Sequence, residues 1–280
     1  MHPFNIDLHC HSVYSDGLLS IETLLKEALE AGLHTLALTD HDTLLGVPHL
    51  QAAAKNKPIQ IIPGVELSVR WKKYEIHIIG LQVNLTNPHF QTLLLQQNER
   101  RTQRAIQIAL LLEKTGIQYV YQKACDLAGH QRIGRPHLAQ VLVNEGVVPD
   151  LKTAFSRYLV RGRTAYVPTA WITLEEAVES IRQAGGYAVI AHPLKYKLTR
   201  SKLNVLINTF KEAGGTAIEV VSGELPTAAI YEMALLCNHY ELLASTGSDY
   251  HGMPHARIKL GRQQPLPPHC KPVWSLWEGN

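Results

Sequence analysis

Seven short segments rich in Ile, Val and Leu recur along the chain, each ending abruptly in polar residues, and most are followed by a helix-like stretch. Parallel β/α units produce this alternation, and it limits the fold more than any other feature of the sequence. The segments are residues 4–11, 35–39, 60–62 leading into Gly64-Val65-Glu66, 75–81, 187–191, 217–221 and 242–245. After the first, Ile21, Leu24, Leu25, Ala28 and Leu29 repeat at helical spacing, and Gly32 supplies a stop. A length of 280 residues suits an α/β barrel with an appended piece. With 45% hydrophobic and 18% charged residues, the composition is that of a folded chain and not a disordered one.

Residues 88–168 break the rhythm and read as helices throughout, over 93–114, 123–128, 136–145 and 150–160. The expected organisation is therefore a barrel made of residues 1–87 and 169–280, interrupted by a helical insertion of residues 88–168. The insertion holds 11 Lys or Arg against 5 Asp or Glu, 11 − 5 = +6, which leaves the rest of the chain at 3 − 6 = −3. That pattern suits an ordinary solvated helical face and a surface that attracts anions equally well. The overall charge of +3 is too mild by itself to imply nucleic-acid binding. The four cysteines lack CxxC spacing, so neither a thiolate zinc site nor a disulfide framework is indicated. Asn5-Ile6-Asp7-Leu8 reads as a strand and not a leader, and no apolar run approaches membrane-spanning length, so a cytoplasmic protein is expected.

His9-Cys10-His11 puts two imidazoles on the same face of a strand, where both can reach one cation while Cys10 points away. Asp16 follows on the next loop. His41 ends the second strand, Glu66 the third, and His77 lies within the fourth; His192, Asp249 and His251 close later ones. Taken singly, His77 or His192 is more often a satisfied core or capping histidine. Taken together they converge, because the carboxyl ends of barrel strands meet on one face. Six imidazoles and three carboxylates buried there without a cation would be costly. Nitrogen and oxygen donors without thiolate suit Zn, Mn or Fe. Three divalent ions sharing these ligands would keep positions open for water and substrate. Their charge exceeds that of the three carboxylates by an amount that a hydroxide and a phosphate dianion would balance, which favours hydrolysis of a phosphate ester.

The motifs DLHCHSVYSDG, TDHDT, GVELS, EIHIIG, AHP and GSDYHG resemble the polymerase and histidinol phosphatase (PHP) family. The resemblance implies an α/β fold, a distorted seven-stranded PHP barrel with a helical cap insertion. It also implies three divalent metal ions, often manganese with zinc, iron or magnesium as alternatives, on His9, His11, Asp16, His41, Glu66, His77, His192, Asp249 and His251. The stretches IGRPHLAQ, YVPTAW, AGGYAVIAHPLKYKLTR and GGTAIEVVSG are similar to a subgroup of that family. It contains 3′,5′-nucleoside bisphosphate phosphatase and the 5′-to-3′ exoribonuclease RNase AM. In that subgroup the insertion caps the metal pocket, which gives its positive charge an anionic nucleotide to hold. Arg135 and His137 become candidates for substrate binding and catalysis, His137 as proton donor; a helix start at Pro136 accounts for the same residues structurally. Lys195, Ser222 and Arg132 are further candidates for phosphate, followed by Arg157 and Arg161. Trp171 and Tyr166 are expected to pack and not to stack on bases.

The implied function is metal-dependent hydrolysis of 3′,5′-nucleoside bisphosphates and of short 5′-phosphorylated RNA or DNA, in the manner of a 5′-to-3′ exonuclease. The nearest alternative is a histidinol-phosphate-type phosphatase, for which Glu224 is the loose candidate. A non-catalytic metal- or phosphate-binding module is the alternative from another class. Expected partners are a nucleotide or short single-stranded oligonucleotide, with neither a membrane nor a stable protein partner. Residues 224–226 do not align with the subgroup's pattern, and the tail from Pro265 carries no reading.

Overall fold

A computed structural model describes residues 5–253 and 257–277. Phe4, expected to open the first strand, lies outside the described residues. The chain begins with β1 (Ile6–Asp7), α1 (Ile21–Glu30), β2 (Thr35–Leu38), α2 (Gly46–Ala53), β3 (Gln60–Trp71) and β4 (Tyr74–Leu81). Then come α3 (Pro88–Glu113), α4 (Val120–Ala128), α5 (Arg135–Asn144) and α6 (Leu151–Ala154). Sheet structure returns with β5 (Ile172–Thr173), α7 (Leu174–Gln183), β6 (Tyr187–Ile190), α8 (Arg200–Glu212), β7 (Ala217–Ser222), α9 (Thr227–His239) and β8 (Leu243–Gly247).

The first helix forms as its pattern predicts. Ser20 caps it by accepting from the Thr23 N–H, its face of Ile21, Leu24, Leu25 and Ala28 is buried, and Gly32 turns the chain at φ +75°. Seven strands follow one another around the sheet in the order β1-β2-β3-β4-β6-β7-β8, with β5 added against β3. Beyond β1 and β8 the two ends meet: Leu8 N donates to Thr246 O (3.1 Å), Asp249 N to His9 O (2.8 Å) and His11 N to Tyr250 O (2.9 Å). These bonds bring the sheet to a nearly closed barrel.

The barrel departs from the all-parallel expectation at one place. β3 does not stop at Glu66 but runs on to Trp71 and pairs antiparallel with β4, which in turn pairs antiparallel with β6. Only Lys72 and Lys73 separate β3 from β4, and a parallel return needs a crossover of a dozen or more residues. Glu66 and His77 therefore face the site from the middle of a hairpin and not from strand ends.

Ile6, Leu8, Ala37, Ile62, Ile79, Leu81, Val189, Ala191 and Ala217 form an apolar cluster with Val273 and Trp274. The tail from Pro265, unreadable in sequence, thus contributes to the core, and Pro272 bridges to Ala244 of β8.

Two compact units are distinguished, Met1–Leu93 with Ile172–Asn280, and Leu94–Trp171. The division falls inside α3 because that helix is continuous from Pro88 to Glu113, so residues 88–93 belong with the barrel unit. The second unit has its own core, which includes Leu112, Val120, Leu138, Leu142 and Leu159. One wide turn interrupts its helices, where Val160 N donates to Phe155 O at 3.1 Å. Among the described residues no helix is long and apolar enough to cross a membrane.

Candidate metal centre

His9 and His11 are fully buried on one face of the segment leaving β1, with their Nε2 atoms 3.2 Å apart. Cys10 faces away and donates from Sγ to Ala37 O at 3.3 Å. The loop that brings Asp16 into place is held by Asp40, whose carboxylate accepts from Ser12 N (2.8 Å), Ser12 Oγ (2.7 Å) and Ser15 Oγ (2.6 Å). Gly17 is required there, since a Cβ would sit 2.5 Å from His11 O. His41 leaves β2 beside Glu66, and the next residue, Asp42, takes φ +52° and accepts from Ser68 N at 2.8 Å. His192 and Asp249, just past β6 and β8, hold φ +28° and +53°. Left-handed backbone at non-glycine residues is the kind of strain that gathers at functional sites.

Glu66 is the hub. Its Oε1 lies 2.7 Å from His77 Nδ1 and 2.8 Å from His192 Nε2, and its Oε2 lies 3.2 Å from both His9 and His11 Nε2 and 3.1 Å from His41 Nδ1. Asp249 Oδ1 is 3.4 Å from each of His9 and His11 Nε2. On the other side His251 Nε2 is 3.4 Å from Asp16 Oδ1, and its ring stacks on His11 at 4.0 Å. All nine ligand candidates thus gather in the barrel unit. They form four overlapping groups able to hold a metal ion: His11-Asp16-His41-His251, His9-His192-Asp249, His9-His11-Glu66 and His41-Glu66-His77.

The donors fit a metal. Ligands about 2.0–2.1 Å from a tetrahedral ion lie roughly 3.3 Å from one another. The distances of 3.2 to 3.4 Å among His9, His11, Glu66 and Asp249 match that spacing. His41 Nδ1 and His192 Nδ1 are buried without a hydrogen bond, the condition of atoms shaped to meet a cation.

Electrostatics agree. Burial pushes the Glu66 carboxyl upward, but the imidazoles of His77, His9 and His41 outweigh it and hold it well below the usual range. Asp16 and Asp249 are likewise held low against burial, by His41 and His251 and by Lys195 and His9 respectively. Burial opposes charge on His11, yet hydrogen bonds to Asp249 and Glu66 raise it to about 9. His41 goes the other way, lowered to about 3 by burial that Asp16 and Glu66 do not offset, with His11 adding repulsion. Imidazoles this close cannot all carry protons.

The remaining candidates divide between the units. Lys195 pairs with Asp249 Oδ2, and together with Ser222 it lines a cavity of about 420 Å³ that also touches His192, His251 and Glu224. Ser222 Oγ is buried without a hydrogen bond. Arg132, Arg135 and His137 belong to the Leu94–Trp171 unit, as do Arg157 and Arg161. There His137 Nδ1 accepts from Gly134 N at 3.0 Å at the start of α5. Trp171 is buried, with the guanidinium groups of Arg101 and Arg104 at 5.4 and 5.5 Å from its ring.

Sequence reasoning missed Glu219. This carboxylate is buried on β7, where Oε1 meets His9 Nδ1 at 2.8 Å and Oε2 accepts from His192 N at 2.5 Å. It orients two candidate ligands at once and turns His9 Nε2 toward the cluster. Its signal was a lone acid inside the apolar run Ala217-Ile218-Glu219-Val220-Val221, which must find a partner when buried. Tyr196 was missed too; its hydroxyl accepts from His77 N and donates to Ala191 O, both at 2.8 Å.

Residues 7–190 match the PHP domain family. The chain belongs to the PHP family. This PHP protein is 40% identical over 274 residues to the 5′-3′ exoribonuclease Rnm of Escherichia coli K12, covering 97% of this chain and 93% of that one. It is also 40% identical over 279 residues to a 3′,5′-nucleoside bisphosphate phosphatase of Chromobacterium violaceum, covering 99% and 97%. A solved structure of an amidohydrolase from Chromobacterium violaceum, with bound sulfate and no metal, superposes with a TM-score of 0.92 at 39% identity, covering 97% of this chain and 95% of that one.

Proposed function

We propose that this PHP protein is a metal-dependent phosphohydrolase acting on 3′,5′-nucleoside bisphosphates and on short 5′-phosphorylated RNA or DNA, from the 5′ end. The observation that carries the metal dependence is the set of His9, His11, Glu66 and Asp249 donor atoms at coordination spacing. The relatives' names, one a bisphosphate phosphatase and one a 5′-3′ exoribonuclease, support the substrate class.

The nine residues gathered around Glu66 would hold three divalent ions, manganese being the first to test. When bound, such ions make water nucleophilic at neutral pH and neutralise charge developing on the ester oxygens. The protein's own groups do the rest. Lys195 and Ser222, lining the cavity beside His192 and Asp249, hold phosphate oxygens. Glu219 keeps His9 and His192 in place. Arg132 and Arg135 bind the nucleotide's anionic groups, in keeping with the positive charge of their segment. His137 would assist the leaving oxygen as a hydrogen-bond donor through Nε2, since its Nδ1 accepts from Gly134 N.

The test is metal analysis of the purified protein. It is paired with phosphate release from adenosine 3′,5′-bisphosphate, 5′-mononucleotide release from a 5′-phosphorylated oligonucleotide and phosphate release from histidinol phosphate, all in Mn²⁺, with Asp249→Ala as control. Turnover of the first two, lost in the variant, is expected. Preference for histidinol phosphate would move the reading to the small-molecule phosphatase, where Glu224 on the cavity wall would meet the amine. Metal uptake without any hydrolysis would leave the binding-module reading.

A further inference from the structure

The β3–β4 hairpin does not end at the metal centre. β3 runs parallel to β2, which leads into His41, and continues five residues past Glu66; Tyr74 stands three residues before His77 on β4. At about 3.3 Å per residue the tip lies roughly 10 Å along the strand from His77 and about 17 Å from Glu66. It extends on the side toward which the ligand-bearing ends of β2 and β3 run.

The tip has a distinct chemistry. Trp71 stacks on Tyr74 at 5.8 Å; Lys72 Nζ lies 4.9 Å from the Trp71 ring, and Lys73 and Lys202 Nζ lie 5.7 and 5.8 Å from Tyr74. Together with Ser201 and Val205 these residues line an apolar recess of about 340 Å³ rimmed by three ammonium groups. Lys72 takes φ +53°, at a two-residue turn where glycine, asparagine or aspartate is the unstrained choice.

The surrounding charge is segregated. Outside residues 88–168 the chain has 27 − 11 = 16 Lys and Arg and 24 − 5 = 19 Asp and Glu. Seven of those 16 cations (Arg70, Lys72, Lys73, Lys195, Lys197, Arg200 and Lys202) fall within residues 70–75 and 195–202, with Glu75 as the single acid. A segment of net −3 that gathers its cations at one lip, running from Lys195 beside Asp249 to the hairpin tip, has built a path for a polyanion.

We propose that this lip binds the single-stranded body of an RNA or DNA substrate beyond the nucleotide being cleaved. A base rests in the recess against Tyr74, Val205 and the lysine stems, and its flanking phosphates meet Lys72, Lys73 and Lys202. The assignment rests on the phosphohydrolase reading above and adds to it a place for the part of a strand that a bisphosphate lacks.

The test compares wild-type protein with the K72Q/K73Q/K202Q variant, after thermal unfolding has shown equal stability. Binding of a fluorescent 5′-phosphorylated oligoribonucleotide is followed by anisotropy across a salt series, and hydrolysis of adenosine 3′,5′-bisphosphate is measured alongside. The expected result is oligonucleotide affinity weakened on the order of tenfold, a salt slope reduced by roughly 2, and unchanged bisphosphate kinetics. Unchanged oligonucleotide binding, equal loss on both substrates, or wild-type binding of polyglutamate as tight as of RNA would each overturn the proposal. Failure of the wild type on bisphosphate overturns the underlying reading instead, and the binding data are unaffected by it.

Discussion

The barrel unit and the Leu94–Trp171 unit use buried volume in opposite ways. In the barrel unit Asp7, His9, His11, Asp16, Asp40, Asp42, Glu66, His192 and Glu219 are all buried, and three non-glycine residues near the centre sit at positive φ. The other unit also buries Gln97, Arg104 and Trp171, but its main core cluster is aliphatic, and many of its cations, such as Arg157, Arg161 and Arg163, stand in solvent. The first arrangement sacrifices stability to hold polar atoms in place; the second gains stability and displays charge. Damage should therefore show up in different measurements for the two units.

The largest effect is expected from the centre itself. Asp249→Ala, or removal of metal by a chelator, should lower turnover by more than the roughly 100-fold typical of losing an outer partner. In the chelated wild type, activity should return with Mn²⁺; turnover that survives chelation would break the contrast. Next is Leu142→Ala in the helical unit, expected to cost about 2–5 kcal/mol in denaturant unfolding. Metal binding by the barrel unit should be unchanged, and a parallel loss of metal would show that the units are coupled. Glu219→Gln should weaken metal affinity by about 10–100-fold, read by competition with a chromophoric chelator. Its melting temperature should move little, so a large drop with intact metal binding would make Glu219 a stability residue only. The smallest effect is Thr173→Ala, which removes the cap of α7 and should cost about 1 kcal/mol with no change in metal content.

Much of the centre was legible because its chemistry is written locally. His9 and His11 share a face by strand periodicity alone, and His41, His192, Asp249 and His251 follow apolar runs. Convergence needed only the barrel rule. What could not be read was long-range or conformational. Glu66 looks like the end of a strand, yet β3 continues to Trp71 and folds back, because pairing with β4 outweighs local preference. Glu219 and Tyr196 act through partners distant in sequence, and no spacing rule announces such bonds. Asp40 looked like part of a strand-end motif; its work is to fasten the loop carrying Asp16. Trp274 belongs to a tail with no periodicity, and only its burial among Leu8, Ile62 and Leu81 reveals its place.

Glu66 meets the imidazoles of His9, His11, His41, His77 and His192 through two oxygen atoms. Substitutions around it should therefore combine far from additively, since each removes part of what the others lean on. A descendant that swapped Glu66 for a neutral residue would not pass through a half-built version of the centre. Five rings would lose their common anchor in a single mutational step, so the whole ensemble stands or falls with one carboxylate.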